Sequence, residues 1–494
     1  MRPSFELTRK VVALPTAVSF LLTVSAWPAW AAPLPAPQVD APIGPAPQLC
    51  DQLAGSPTDP QRIGPGVAFD QIPVAGALSA CQQAAISTHD PHYIFLYGRS
   101  LAAAHRSPEA IQQYMQAANA GYAAAMGNIG AAYAQGAGVP QSYPDAAAWY
   151  VRAGNAGDGH AMNELCILYF NGQGVPKSDT DSVAWCRRAA AAGIPQAMES
   201  LGYAYLSGRG VPQSDKDAVT WYRQAADAGA SQAMNRMGLL CASGRGVPQS
   251  DKDAVAWYRK AAEAGNATGM NDLGFMYAFG RGVPKDDIQA AAWYRQAAER
   301  GDVYGMDNLG LMYANGRGVP QSYPDAAIWL RKAADRRYGW AQLALGILYQ
   351  DGLGVPRDLS QAMSLYTQAA ANADPQVAAA AAKLRDRLQA AENARAQENS
   401  RVAPPQNSAP QNSGSQDSSA GVGTVIAGVL VAVGILAAFA SLGGSDSTSS
   451  DSSGASDDSN SWQNTWEQQQ KSTESLCLAA QIAGIDPGPF VPCL

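Results

Sequence analysis

An all-α fold of stacked helix pairs is what this sequence predicts, on three observations. A Gly-Val-Pro tripeptide recurs with its proline at Pro140, Pro176, Pro212, Pro248, Pro284, Pro320 and Pro356, always 36 residues after the last. On both sides of each tripeptide, apolar and small residues repeat at i, i+3, i+4 and i+7, the spacing of one buried helical stripe. Helix stop and start signals fall between the two stripes at constant places. A fixed period of this size marks an array in which each unit buries its apolar face only against its neighbours.

Helix A of each repeat is carried by positions such as Met270, Leu273, Gly274 and Tyr277, written again as Met306, Leu309, Gly310 and Tyr313. It is expected to stop at a glycine able to take positive φ, Gly280 here, ahead of Pro284, which lacks an N–H and clashes with the preceding turn. Ser250 with Asp253, Ser214 with Asp217 and Ser322 with Asp325 then resemble a capping box, and Asp286 with Gln289 and Asp358 with Gln361 keep the logic. Helix B comes next, with Ala254, Trp257, Tyr258 and Ala261 on one stripe. A helix of about 12 residues is marginal alone in water, so stability must be shared along the stack. The column Trp149, Trp185, Trp221, Trp257, Trp293 and Trp329 is expected to be its largest buried apolar contribution. Gly202, Gly238, Gly274, Gly310 and Gly346 read as packing residues that let a neighbouring helix approach.

The pattern A-M-x-x-L-G-x-x-Y-x-x-G-R-G-V-P-Q-S-x-x-x-A-x-x-W-Y-R-x-A-A-x-x-G, as in Ala197 to Gly229, resembles the Sel-one-like repeat, a relative of the tetratricopeptide repeat. The likeness covers seven repeats over 122–372. What it implies is a right-handed α-solenoid that binds other proteins and usually performs no chemistry. Cysteine-rich relatives of this family bridge their helix pairs at fixed positions; Cys166, Cys186 and Cys241 do not sit at that spacing and are expected to be free buried thiols.

The remaining segments are read in order. Residues 1–31 combine Arg2, Arg9 and Lys10 with an apolar run and an Ala29-Trp30-Ala31 cleavage pattern, a signal peptide or an uncleaved signal anchor; either one exports the adjoining chain. Over 32–89 a Pro-rich stretch leads into a small module in which Cys50 and Cys81 are expected to pair, as exported cysteines do. Residues 90–121 form a divergent helix pair that caps the array, and 373–399 an Ala-rich closing helix. A Pro/Gln/Asn/Ser linker over 400–421 precedes an uncharged apolar stretch, 422–442, long enough to span a bilayer as a transmembrane helix. The tail, 443–494, is Ser/Asp-rich and carries Cys477 and Cys493. It also holds most of the net charge of −7: from Ser445 on there are seven acids against Lys471. The rest is near neutral, so no electrostatic footprint for nucleic acid exists.

Catalytic constellations are sparse. There are four histidines, His89, His92, His105 and His160; His89, His92 and His105 could gather a metal, but no Cys or carboxylate pattern completes a known ligand spacing, so they read as a solvated cluster at a helix start. Ser-x-x-Lys, G-x-S-x-G and P-loop motifs are absent. No catalytic residue, cofactor or metal is expected.

A groove is the remaining candidate. By analogy with tetratricopeptide stacks, helix A positions just off the core stripe line the concave wall. One such column runs Ile167, Tyr203, Leu239, Phe275, Leu311, Ile347; its neighbour runs Asn163, Glu199, Asn235, Asn271, Asp307. An apolar strip beside amide and acid groups suits an extended peptide, and the first column serves equally well as core between A helices. The function expected is a non-enzymatic scaffold or regulatory protein of the bacterial cell envelope, in the periplasm and membrane-anchored, that grips a protein or peptide partner. The alternatives are a membrane-tethered structural oligomer that self-associates and a cell-wall-acting or β-lactamase-type hydrolase.

Overall fold

The computed structural model describes residues 46–59 and 66–402. The expected signal peptide (1–31), the transmembrane span (422–442) and the tail with Cys477 and Cys493 lie outside those residues, as does the linker beyond 402. Among the described residues there are nineteen α-helices, one turn of 3-10 helix at Phe69–Gln71 and no strand, and no helix is long and apolar enough to cross a membrane. The chain divides into two compact units between Ser214 and Asp215.

The first unit holds α1 (Ala46–Ala54), α2 (Val74–Thr88), α3 (Pro91–Ala103), α4 (Ser107–Asn119), α5 (Ala123–Gln135), α6 (Tyr143–Asn155), α7 (Gly159–Asn171), α8 (Asp179–Ala191) and α9 (Pro195–Ser207). Cys50 on α1 is bonded to Cys81 on α2, with Cα atoms 4.7 Å apart. Arg99, buried on α3, donates to the carbonyls of Ala54 at 2.6 Å and Val67 at 3.2 Å, and so holds the turn after α1. The divergent pair expected at 90–121 is α3 with α4.

The second unit continues with α10 (Asp215–Asp227), α11 (Ser231–Ser243), α12 (Asp251–Glu263), α13 (Ala267–Phe279), α14 (Asp287–Glu299), α15 (Val303–Asn315), α16 (Tyr323–Asp335), α17 (Gly339–Asp351), α18 (Leu359–Ala370) and α19 (Pro375–Val402). The closing helix begins two residues later than the expected 373 and runs past 399. Its Val377, Ala381, Leu384 and Leu388 are buried in a cluster with Trp340, Leu343 and Tyr366, so the end of this unit is covered by α19.

Local chemistry explains the regular lengths. Gly280 closes α13 in the left-handed region at φ 67°. Gly282, two residues on at φ +69°, runs so close to the Asp251 carbonyl that no Cβ fits there. The cap residue of the next helix then donates its own N–H back to helix A, Ser250 to Cys241 and Asp286 to Tyr277, each at 2.9 Å. The Ser250 hydroxyl accepts from the Asp253 N–H, and Asp286 accepts from both Ile288 and Gln289. Each turn is therefore pinned at both ends.

Helix B departs from the expectation in which residue it buries. Ala254, Tyr258 and Ala261 are buried, whereas Trp257 is only half-buried. The tryptophan column is thus not the core column. One residue corresponds to roughly 100° around a helix, so Tyr258 takes the inward position and Trp257 moves to the flank. There its ring is covered by the cation three residues later: Arg152 over Trp149 at 4.1 Å, Arg188 over Trp185 at 4.1 Å, Lys260 over Trp257 at 4.2 Å and Lys332 over Trp329 at 3.9 Å.

The inward tyrosine has a fixed counterpart. A glycine of helix A lies under it in its own repeat, as in Gly130–Tyr150, Gly238–Tyr258, Gly274–Tyr294 and Gly346–Tyr366, with Leu330 over Gly310. In α7 and α8 the same two positions are Cys166 and Cys186. Their sulfurs are bonded and their Cα atoms lie 5.2 Å apart, which corrects the expectation of free thiols there. The physical reason is that the glycine–ring contact already brings these two backbones within disulfide reach. Cys241 is free and buried. Cys166→Gly alone leaves a thiol without a ring opposite and is expected to cost about 2–4 kcal/mol. Adding Cys186→Tyr restores the pair and removes this bond's share of the response to reductant, leaving that of Cys50–Cys81. Urea unfolding with and without dithiothreitol checks this; a wild-type curve unmoved by the reductant would remove the bond from the account.

Repeats are also laced together along the outside. Arg209 grips Asp179 through Nη2–Oδ1 at 2.7 Å and Nε–Oδ2 at 3.1 Å, and Arg245–Asp215, Arg281–Asp251 and Arg317–Asp287 repeat the fork with Nη2–Oδ1 at 2.7 Å. Arg259, Arg295 and Arg331 on the B helices donate to the hydroxyls of Tyr277, Tyr313 and Tyr349 on the next A helix. Each such partly exposed pair contributes about 0–1 kcal/mol, so the ladders set register more than they add stability.

Candidate functional site

The two expected columns are separated by the structure. In the first unit, Ile167 on α7 and Tyr203 on α9 are half-buried; in the second, Leu239 on α11, Phe275 on α13 and Ile347 on α17 are half-buried, and Leu311 on α15 is buried. This strip is partly open. In the neighbouring column Glu199 and Asn235 are half-buried, but Asn163, Asn271 and Asp307 are 6%, 3% and 2% exposed. Asn308 donates to the Asn271 carbonyl oxygen at 2.9 Å across consecutive A helices, and Asn235 Oδ1 lies beside Gly269 of the next A helix. Asn271 and Asp307 therefore sit inside the seam rather than on an open wall.

Electrostatics of the seam are unusual. Oδ1 of Asn163, Asn235 and Asp307 are buried with no hydrogen-bond partner. Burial of Asp307 pushes its carboxyl up to about 7, because an ion without compensating donors is costly in a low-dielectric interior.

Sequence reasoning missed the residues that flank the open strip. Phe170 meets Tyr203 edge-on at 6.2 Å, and Arg209 lies over the Phe170 ring at 3.9 Å. In the second unit Phe275 and Phe279 are 4.7 Å apart, with Arg281 5.9 Å above Phe275. Each unit thus carries two rings topped by a guanidinium that is anchored to an aspartate. Arg209 and Arg281 are the arginines of the Gly-Arg-Gly turns, and the signal for them was the aspartate recurring 30 residues earlier.

The histidine reading needs correction. His89, His105 and His160 are exposed, but His92 is 7% exposed and locked in a polar cluster. Its Nε2 is 2.7 Å from Asp51 Oδ1 and its Nδ1 2.8 Å from the Tyr122 hydroxyl, while Tyr122 donates to Asp59 and Tyr93 donates to Asp51 at 3.1 Å. The partners come from α1, the turn after it and the residue before α5, which adjacency in sequence could not reveal. Among the described residues, no group of three or more His, Cys, Asp or Glu is placed to hold a metal ion.

Comparison with known proteins adds the family. The profile of the Sel1 repeat matches residues 123–158, 159–194, 195–229, 231–266, 267–302, 303–338 and 341–374. The chain is a member of the Sel1 repeat family. Six of the seven matched Sel1 repeats begin on the first residue of an A helix, Ala123, Gly159, Pro195, Ser231, Ala267 and Val303. A crystal structure of a protective antigen present in uropathogenic Escherichia coli strains, displaying an SLR fold, is 32% identical, with a TM-score of 0.54 over 63% of this chain and 68% of that one. A Sel1 repeat protein from Oxalobacter formigenes is 30% identical over 49% of this chain and 96% of that one, with a TM-score of 0.46. No curated protein matches the chain. The Sel1 repeat is a scaffold fold typical of protein–protein interaction.

Proposed function

We propose that this Sel1 repeat chain is a non-enzymatic scaffold or regulatory protein of the bacterial cell envelope that holds a partner protein or peptide on the open strip of its A helices. The observation that carries the reading is the partly exposed apolar column with its ring-and-guanidinium clusters, Tyr203 with Phe170 in the first unit and Leu239, Phe275 and Phe279 in the second. Aromatic side chains lose little conformational freedom for the contact they make, and Arg209 and Arg281 are already held by their aspartates, so both kinds suit anchors at an interface. Two bonded cysteine pairs support an oxidising compartment, since disulfides persist outside the reducing cytosol. They agree with export by residues 1–31, and the apolar stretch 422–442 is taken as the membrane anchor.

Phe275→Ala combined with Leu239→Ala removes two half-buried side chains of the strip. The double variant is expected to lose more than tenfold in partner retention, equivalent to about 1.4 kcal/mol or more, when tagged full-length protein is recovered from detergent-solubilised envelopes. Its helical content should stay that of the wild type. Equal retention of the same partners by both proteins would refute the strip as the binding face.

A further inference from the structure

We propose that the N-terminal disulfide module is fastened to the first repeat by a proton, with the doubly protonated His92 imidazolium as the clasp and its deprotonation as the release. The geometry itself counts the protons. Tyr122 spends its hydroxyl hydrogen on Asp59, so the oxygen that faces His92 Nδ1 at 2.8 Å can only accept. On the other side Nε2 faces Asp51 Oδ1 at 2.7 Å, and Asp51 Oδ2 already accepts from Tyr93. With Asp51 and Asp59 ionised, both ring nitrogens therefore meet acceptors and both carry hydrogen, which only the cationic ring does.

Three separate pieces of chain meet in that ring. Asp51 comes from α1, Asp59 from the turn after it, and Tyr122 is the residue that precedes α5, the first helix of the Sel1 array. The cation thus bridges module and array, with α3 between them. The charged and titratable groups around it are Asp51 and Asp59; Asp90, which caps α3 and accepts from the His92 N–H at 2.9 Å; Tyr93 and Tyr122; Arg99, which acts on the same turn; and Asp158, the N-cap of α7, whose carboxyl feels Asp59. Imidazolium and guanidinium balance the two module carboxylates. A neutral ring deprives those buried carboxylates, 5% and 1% exposed, of the cation that faces both of them.

The proton affinity runs the same way. Burial alone drives His92 down, but hydrogen bonding and charge from Asp59 and Asp51 together outweigh it and raise it above the ordinary 6.5. A histidine raised in the folded state adds stability that is complete below its unfolded value and is lost as pH climbs through the folded one. The module is therefore fastened in neutral to acidic surroundings and loosens in alkaline ones. The Cys50–Cys81 bond keeps it folded on itself while it lifts from α3.

Amide hydrogen exchange on the full-length protein, at pH 6 and pH 9 with labelling times adjusted for intrinsic exchange, tests this. Peptides over 46–59 and 74–103 are expected to lose about tenfold or more of their protection at pH 9 relative to peptides over 267–299. His92→Gln should remove the difference between the two pH values. Asp51→Asn, which keeps an acceptor but removes its charge, should move the transition to lower pH. A wild-type module whose protection tracks the repeats at both pH values, or a transition that persists in His92→Gln, would overturn the proposal.

Discussion

Tyr258→Ala is expected to lower the unfolding free energy of the second unit by about 3–5 kcal/mol, while Trp257→Ala, one position away, costs about 1–2 kcal/mol. The larger residue has the smaller effect because of where each points. Tyr258 is 4% exposed and its ring fills the space above Gly238 on the facing helix. Removing it leaves a void that the glycine cannot close, so both transfer and cavity terms are lost. Trp257 lies on the flank, sheltered by Lys260 and partly open to water, so solvent can refill part of the space that it vacates. Urea unfolding followed by circular dichroism separates the two. Equal losses, or a greater loss at Trp257, would mean that the inward face of helix B has been misassigned.

Asp307→Asn is expected to stabilise the second unit by about 2–4 kcal/mol at pH 8 and to change almost nothing at pH 4. The sign comes from the direction of the shift. A carboxyl whose folded-state value is raised to about 7 from 3.8 takes up a proton on folding. Below about pH 4 it is neutral in both states and carries no penalty; between about 4 and 7 stability falls as the unfolded chain ionises, and above about 7 the loss is complete. Asparagine stands at the same repeat position in Asn163, Asn235 and Asn271, so the seam accommodates it. Thermal unfolding at the two pH values is the measurement, and superimposable differences at pH 4 and pH 8 would defeat the argument.

Most of the fold was legible in the sequence because its signals are local. Period, caps and turn glycines act within a few residues of where they are written, and the A and B helices lie where the stripes and the Ser250–Asp253 type of cap put them. The inward face of helix B was less legible, since Trp257 and Tyr258 both fit an apolar stripe and only the facing glycine chooses between them. The cysteine pair is legible against the Gly–Tyr positions of this chain's own repeats, where Cys166 and Cys186 replace both members together, and not against the spacing of cysteine-rich relatives. His92 was hidden for a different reason: its partners stand 41 and 30 residues away, and burial of a polar cluster leaves no periodic trace. The open strip was readable as a column, whereas the depth of Asn271 and Asp307 depends on how closely consecutive A helices approach.

The Arg–Asp forks also constrain how such a chain can change length. Arg209, Arg245, Arg281 and Arg317 each reach an aspartate of the preceding repeat, and where the turn has Gln173 or Leu353 instead, the position 30 residues earlier is Tyr143 or Tyr323. Donor and acceptor change together. A single inserted or deleted residue between them shifts the donor off its acceptor and drives Gly282-type backbone into the adjacent carbonyl. An indel within a repeat thus breaks both contacts, whereas gain or loss of a complete 36-residue module leaves them intact.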